Sequence, residues 1–188
     1  VGTNQLAMVS DMALINFTHV VVYTKSSLAE QTFPAAVNFT DASSSVSSVG
    51  FVDKDLDALE LGGTVTWIAP GSSLDECAPG SGWDISQVTH YVVYLATSDE
   101  GEGKWQFGSD VPVGTNWIGM VHDTALGAYT HIAFHTKSSL AEQSTPKFLN
   151  LTDVISSVSS VRLVDKDLDA GELGGMVTWV APRDVSQV

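Results

Sequence analysis

Short apolar runs recur along the chain, broken by Gly, Pro, Asp and Ser. The runs Thr18–Thr24 (THVVVYT) and Val88–Thr97 (VTHYVVYLAT) are β-branched and aromatic, the composition of strands. One stretch reads as seven of them: Ser48–Asp53, Gly63–Ala69, Val88–Thr97, Lys104–Gly108, Asn116–Val121, Tyr129–Thr136 and Lys147–Leu151. Their number and spacing predict an all-β, antiparallel β-sandwich. Ala35–Thr40 is a further extended run, with Pro34 at its start where a missing N–H does least harm. No period of three to four residues persists, so no long helix is predicted. Thr24–Gln31 (TKSSLAEQ) reads as a turn. In the serine-rich stretches 41–48 and 153–160 the interleaved Val46, Val49, Val158 and Val161 indicate polar-out, apolar-in edge strands rather than flexible linkers.

The pattern occurs more than once. Val52–Trp67 (VDKDLDALELGGTVTW) returns 112 residues later as Val164–Trp179 (VDKDLDAGELGGMVTW). Thr24–Gln31 returns as Thr136–Gln143, and Val1–Asn4 as Val113–Asn116, at the same offset. A shared offset of this length is a domain-sized repeat, far above the roughly 20–50 residues of a solenoid. Asp84–Val88 and Asp184–Val188 are only 100 apart, because residues 71–82 form an insertion of 12 residues in the first copy. Three segments follow. Residues 1–42 are the last strands of a module, 43–155 a complete one with the insertion at 71–82, and 156–188 the first strands of the next. A fragment of two or three strands cannot bury a sheet face alone. Each end is therefore expected to meet other polypeptide, either adjacent repeats of a longer chain or other copies of itself, head to tail.

Charge narrows the partners. Eight basic against twenty-two acidic residues leave a formal charge of −14, which opposes nucleic-acid binding through phosphates and attraction to anionic membranes. No apolar run approaches the roughly 20 residues of a membrane span, so no membrane insertion is expected. No signal-type segment is read at Val1, which fits a mature product or an internal piece. The single cysteine, Cys77, lies in the insertion and excludes an internal disulfide framework. It is a free thiol or half of an intermolecular disulfide. Three sequons, at Asn16, Asn38 and Asn150, point to an extracellular protein carrying N-glycans. Asn38 and Asn150 hold the same place in the repeat.

Gly63–Trp67 (GTVTW), Pro70 and Val88–Tyr94 (VTHYVVY) resemble the second and third strands of a fibronectin type III domain. Asp123–Phe134 and Pro146 are similar to that family's approach to its sixth strand and to its seventh. The resemblance implies a Greek-key sandwich repeated in tandem, with Trp67 and Trp179 as core tryptophans. It is nearly silent on function. Phe17 stands at the Tyr129 position of the other copy, so a tyrosine hydrogen bond there is not general. The verbatim reuse of the acidic stretch and of Thr24–Gln31 looks more like tandem-repeat surface or filament proteins of microbial eukaryotes.

The remaining candidate chemistry is acidic. Asp53, Asp55 and Asp57 alternate, hence share one face of an extended segment, and Glu60 follows. Asp165, Asp167, Asp169 and Glu172 repeat the set. Calcium takes roughly six to eight oxygens in flexible geometry and suits such a group. The spacing is not that of an EF-hand, and the plainer reading is a solvated charged loop. Gly62 and Gly63 indicate a bulge or a close backbone approach. His131 and His135 share a strand face without a fixed carboxylate, which fits packing better than a metal pair. Trp83, Trp105 and Trp117 lie near loops, where stacking on sugars competes with ordinary sheet-edge packing. With no Gly-x-Ser-x-Gly elbow, phosphate loop or clustered ligands, the sequence is not that of an enzyme. It reads as a structural, glycosylated segment of an extracellular fibre or cell-surface protein that assembles linearly. The alternative is a calcium-dependent adhesion or carbohydrate-binding module.

Overall fold

A computed structural model describes residues 2–72 and 85–183. Most of the insertion, with Cys77 and Trp83, lies outside them. Among the described residues every regular element is a strand, and no helix is long and apolar enough to cross a membrane. The order is β1 (His19–Val22), β2 (Ala35–Asn38), β3 (Ser47–Asp53), β4 (Glu60–Ile68), β5 (His90–Ala96), β6 (Trp105–Gln106), β7 (Val111–Pro112), β8 (Trp117–Ala125), β9 (His131–Lys137), β10 (Lys147–Asn150), β11 (Ser159–Asp165) and β12 (Gly175–Val180). All pairings are antiparallel.

Two sheets share the main core. One runs β3-β4-β8; the other runs β10-β9-β5-β6, with β7 also on β5. Alternation decides what each strand contributes. Leu61, Val65 and Trp67 of β4 turn inward while Thr64 and Thr66 stay exposed, and Tyr91, Val93 and Leu95 of β5 meet them with Ile132 and Phe134 of β9. Trp67 sits edge-on to Tyr91 at 5.3 Å and to Phe134 at 5.8 Å between ring centres, so one indole joins the two sheets.

Six of the seven expected strands of the central stretch lie within a few residues of their expected limits, and β6 is only two residues long. β7 was not foreseen, because Val111-Pro112 is too short for a periodic signal. β8 runs to Ala125, beyond the expected Val121, because pairing resumes after a bulge. Gly62 alone faces Val121, His122 and Asp123 there, and Asp123 takes a left-handed φ of 60°. Gly62 is where the strands come closest: a Cβ on it would lie 3.0 Å from the His122 Cα. Gly63, at φ +144°, lets β4 turn past Val52.

The other two sheets are lone hairpins, β1-β2 and β11-β12. Their registers copy those of the central strands at the repeat offset. His19 faces Asn38 as His131 faces Asn150, and Leu163 faces Val177 as Phe51 faces Val65. Even the bulge with a positive φ at Ser48 recurs at Ser160. Burial does not recur. Trp67 is 4% exposed and Trp179 is 59% exposed, and the expectation that Trp179 is buried is corrected accordingly. The hairpin forms from local sequence, whereas burial needs an opposing sheet, and among the described residues β11-β12 has none. Val158 and Val161 are exposed for the same reason, while Val46 is buried and Val49 packs on the core.

The repeated octapeptide is a turn in both copies. The Ser26 hydroxyl accepts the amides of Leu28 and Ala29, and the Thr24 hydroxyl donates to the Gln31 side chain at 2.8 Å. Ser138, Leu140, Ala141, Thr136 and Gln143 make the same bonds.

Removing the indole of Trp67 empties the junction of the two sheets. Trp67→Ala is expected to cost about 3–5 kcal/mol in urea unfolding, whereas Trp179→Ala, on an uncovered hairpin, stays below about 1 kcal/mol. Equal losses would contradict this placement.

Candidate functional site

The acidic loop Asp53–Glu60 joins β3 to β4, and two of its four carboxylates, Asp53 and Asp55, accept backbone amides. Asp53 is 2% exposed. Its Oδ1 accepts the amides of Asp55 (3.1 Å) and Gly62 (2.9 Å), and its Oδ2 accepts the amide of Val154 at 3.0 Å. Asp55 accepts the amide of Asp57 at 3.1 Å and that of Asp123, in β8, at 2.7 Å. A further carboxylate reaches in from outside the loop, where Asp153 Oδ2 accepts the Leu59 amide at 2.8 Å. Two backbone bonds complete the closure, Ser156 N–H to the Leu56 carbonyl and Leu126 N–H to the Leu59 carbonyl. The loop therefore fastens three things: the start of β4, the bulge of β8, and the segment 153–156 that leads towards β11.

The electrostatics follow from these bonds. The amides of Asp123 and Asp57 hold the Asp55 carboxyl below its ordinary value. Glu60 moves the other way, raised first by desolvation and then by the negative charges of Asp123, Asp55 and Asp57. Asp55, Asp57, Glu60 and Asp123 each offer an oxygen within 4.8 Å of the others. Asp53 is not among them. In the other copy Asp167, Asp169 and Glu172 approach one another in the same way, without Asp165. Asp165 accepts the amides of Asp167 (3.0 Å) and Gly174 (2.9 Å), which hold its carboxyl low. Of the expected calcium ligands, then, the structure groups the second, third and fourth of each set and ties the first to the backbone.

Sequence reasoning missed Asp123 and Asp153. Both carried a signal: at the repeat offset they correspond to Asp11 and Asp41, so a carboxylate stands at each place in both copies.

His131 and His135 pack against aromatic rings, Phe148 and Tyr94. The His135 Nδ1 lies 2.7 Å from the Gln143 carbonyl oxygen and its ring is edge-on to Tyr94. Burial pushes its pKa down. Glu142 accepts a 2.7 Å bond from the Tyr94 hydroxyl and pairs with Lys104 at 3.2 Å. Burial, and then Glu142, raise the Tyr94 hydroxyl. His19, His90 and His131 each share a hydrogen bond with the threonine before them. Trp105 and Trp117 are exposed. The sequons at Asn16, Asn38 and Asn150 are exposed too, and Asn38 and Asn150 end the equivalent strands β2 and β10.

Compared with known proteins, the chain matches no family model, no curated protein and no solved structure.

Asp53→Ala strips three amides of their acceptor and is expected to destabilise the chain by about 1–3 kcal/mol for each one left buried. Asp165→Ala, on the exposed hairpin, should cost far less. Acid should act through Asp55. Its carboxyl is depressed in the folded chain, so the unfolded chain takes up the proton first as pH falls below the ordinary 3.8. Its contribution is complete above that value and is lost below it. Asp55→Asn should reduce the fall of the melting midpoint with acid; an unchanged profile would exclude this role.

Proposed function

We propose that this chain is a structural repeat segment of an extracellular, N-glycosylated fibre or cell-surface protein. Its modules are Greek-key β-sandwiches of fibronectin type III type, joined in line. The observation that carries the reading is the closure of the acidic loop. Its most buried carboxylate is spent on the amides of Asp55, Gly62 and Val154, the last in the segment leading to the next hairpin. A repeated stretch that clasps its own linker fits a spacer better than an open ligand site, and in this reading the chain is not an enzyme. Exposed sequons at the ends of β2 and β10 fit a coat of sugar at a regular interval, which would also shield sheet edges from lateral pairing. The resemblance to fibronectin type III rests on the residues quoted above.

Intact mass of the protein from its native source, before and after glycosidase, tests the extracellular assignment. Sugar on Asn38 and Asn150 is the expected result; unmodified chain overturns it.

One observation favours a second reading, a calcium-dependent adhesion module: Asp123, from a different strand, completes a group of four carboxylates with Asp55, Asp57 and Glu60. A cation there would relieve the repulsion that, after desolvation, raises Glu60. Thermal melting in millimolar calcium, then in chelator, decides between the two. A ligand of the folded state must raise the midpoint, and the spacer reading expects none of that rise.

A further inference from the structure

His135 is buried on the face of its sheet that turns away from the core. Val93 and Leu95 of β5 and Ile132 and Phe134 of β9 point into the core. Val92, Tyr94, Ala133 and His135 alternate with them and lie on the other face. Even so, Val92, Ala133 and His135 are at most 3% exposed. What covers them is the turn after β9, which folds back until Glu142 bridges to Lys137. From there Glu142 reaches the Tyr94 hydroxyl and the Gln143 carbonyl reaches His135. Lys104 closes the margin, 4.4 Å above the Tyr94 ring.

The bond to Gln143 fixes the ring's tautomer. A carbonyl oxygen only accepts, so Nδ1, 2.7 Å away, carries the hydrogen and the neutral ring keeps its lone pair on Nε2. Nε2 is buried and has no hydrogen-bond partner among the described residues. A second proton would put an N–H and a charge there with nothing to match either. The neighbours do not supply the match. Glu142 Oε1 lies 3.4 Å from Nδ1, the nitrogen that already holds a hydrogen, and it also pairs with Lys104 at 3.2 Å. Lys104 opposes a further positive charge. Lys137 pairs with Asp110 at 2.7 Å, and His90 stands opposite Lys137. His131 turns its ring to Phe148, and Lys147 of β10 stands opposite Phe134, on the other face. Burial is the largest influence on His135 and lowers its pKa, against the Gln143 carbonyl and Glu142, which raise it.

We propose that His135 is a proton-operated catch, whose protonation in mild acid lifts the turn Ser138–Gln143 off β5 and β9 while both sheets stay folded. β9 is hydrogen-bonded to β5 on one side and to β10 on the other, so the backbone at His135 cannot carry the ring out to water. The turn can move instead, and with it goes the Gln143 carbonyl. The catch also reaches the segment that leads into β3, because the Thr136 hydroxyl lies 2.9 Å from the Ser44 carbonyl oxygen and 3.1 Å from the Gln143 side chain. The sister turn Thr24–Gln31 lacks it, since Tyr23 stands at the His135 place. His135 binds its proton more weakly under the turn than in water. The hold is therefore complete above the ordinary 6.5 and is lost as pH falls below it. Asp55 acts in a separate window, below 3.8. The inference goes beyond the structural-repeat reading and does not rest on it.

Ring-proton NMR and amide hydrogen exchange of the whole chain, from about pH 7.5 to about 5.5, test it. The His135 ring should titrate below 6.5; a value at or above that overturns the proposal, whatever any variant does. The Ser138 and Gln143 amides bond to the Ala141 and Thr136 carbonyls and report the turn. Corrected for the intrinsic slowing of exchange in acid, they should open more often at the lower pH, by up to about tenfold, the factor that one pH unit below 6.5 allows. Amides within β5 should not change. His135→Asn keeps a donor for the Gln143 carbonyl without a group that titrates in this range, and should abolish the pH dependence while the turn stays protected. His131→Asn, on the same strand, should leave it intact. Exchange that does not respond to pH, that quickens equally in β5, or that still responds in His135→Asn overturns the proposal.

Discussion

A buried carboxylate must be matched by donors, because an isolated charge in a protein interior is far costlier than one in water. Asp53 meets that demand with the amides of Asp55, Gly62 and Val154, and the geometry of the acidic loop follows from it. The chain has to leave β3 so that the Asp55 amide reaches back to Asp53 and presents the first donor. It has to re-enter β4 at Gly62 to present the second. The third lies 101 positions further on, so the segment after β10 is drawn across the loop. One side chain therefore fixes a local turn, the start of a strand and the course of a linker. In the second copy Asp165 has the first two amides, and among the described residues it has no counterpart of the third.

A sheet with one apolar face imposes the other constraint, since that face must be covered. The chain contains its own control for this. β3-β4 and β11-β12 share nearly the same sequence and the same register, bulge included. Val65 is fully buried in one, and Val177 is half exposed in the other. The hairpin pairing is alike in both, but β4 has β8 on its other edge and an opposing sheet besides: Tyr91, Val93 and Phe134 stand over Trp67, and nothing described stands over Trp179. The same contrast separates β9-β10 from β1-β2, where Phe134 is buried and Val22 is not.

What the sequence discloses divides along the same line. Strands were legible where β-branched and aromatic residues ran together, as in His90–Ala96, which is buried on both faces and so reads as one apolar run. The octapeptide turn was legible because its serine and threonine bond within it. Gly62 and Gly63 disclosed a bulge or close approach, though not that His122 would be the neighbour. The acidic stretch disclosed its charge and its alternation but not its use. An extended segment would present Asp53, Asp55 and Asp57 together; instead Asp53 and Asp55 are buried against backbone amides and Asp57 is left exposed. The partners that decide this, Asp123 and Val154, are remote in the chain, and no local period encodes them. β7 was missed because two residues carry no period. Whether Cys77 is a free thiol or half of a disulfide falls outside the described residues.

The two kinds of contact differ in how they respond to the chain's charge. At −14 the surface is strongly acidic, and exposed like charges on neighbouring molecules repel one another over roughly a Debye length, about 8 Å at physiological salt. Side-by-side association of such modules is therefore opposed. Asp53 acts in the other direction, because its negative charge faces amide hydrogens rather than another carboxylate, and a buried group of this kind is screened much less by salt. The same acidic composition thus disfavours lateral contact while its most buried member secures the segment that continues the chain.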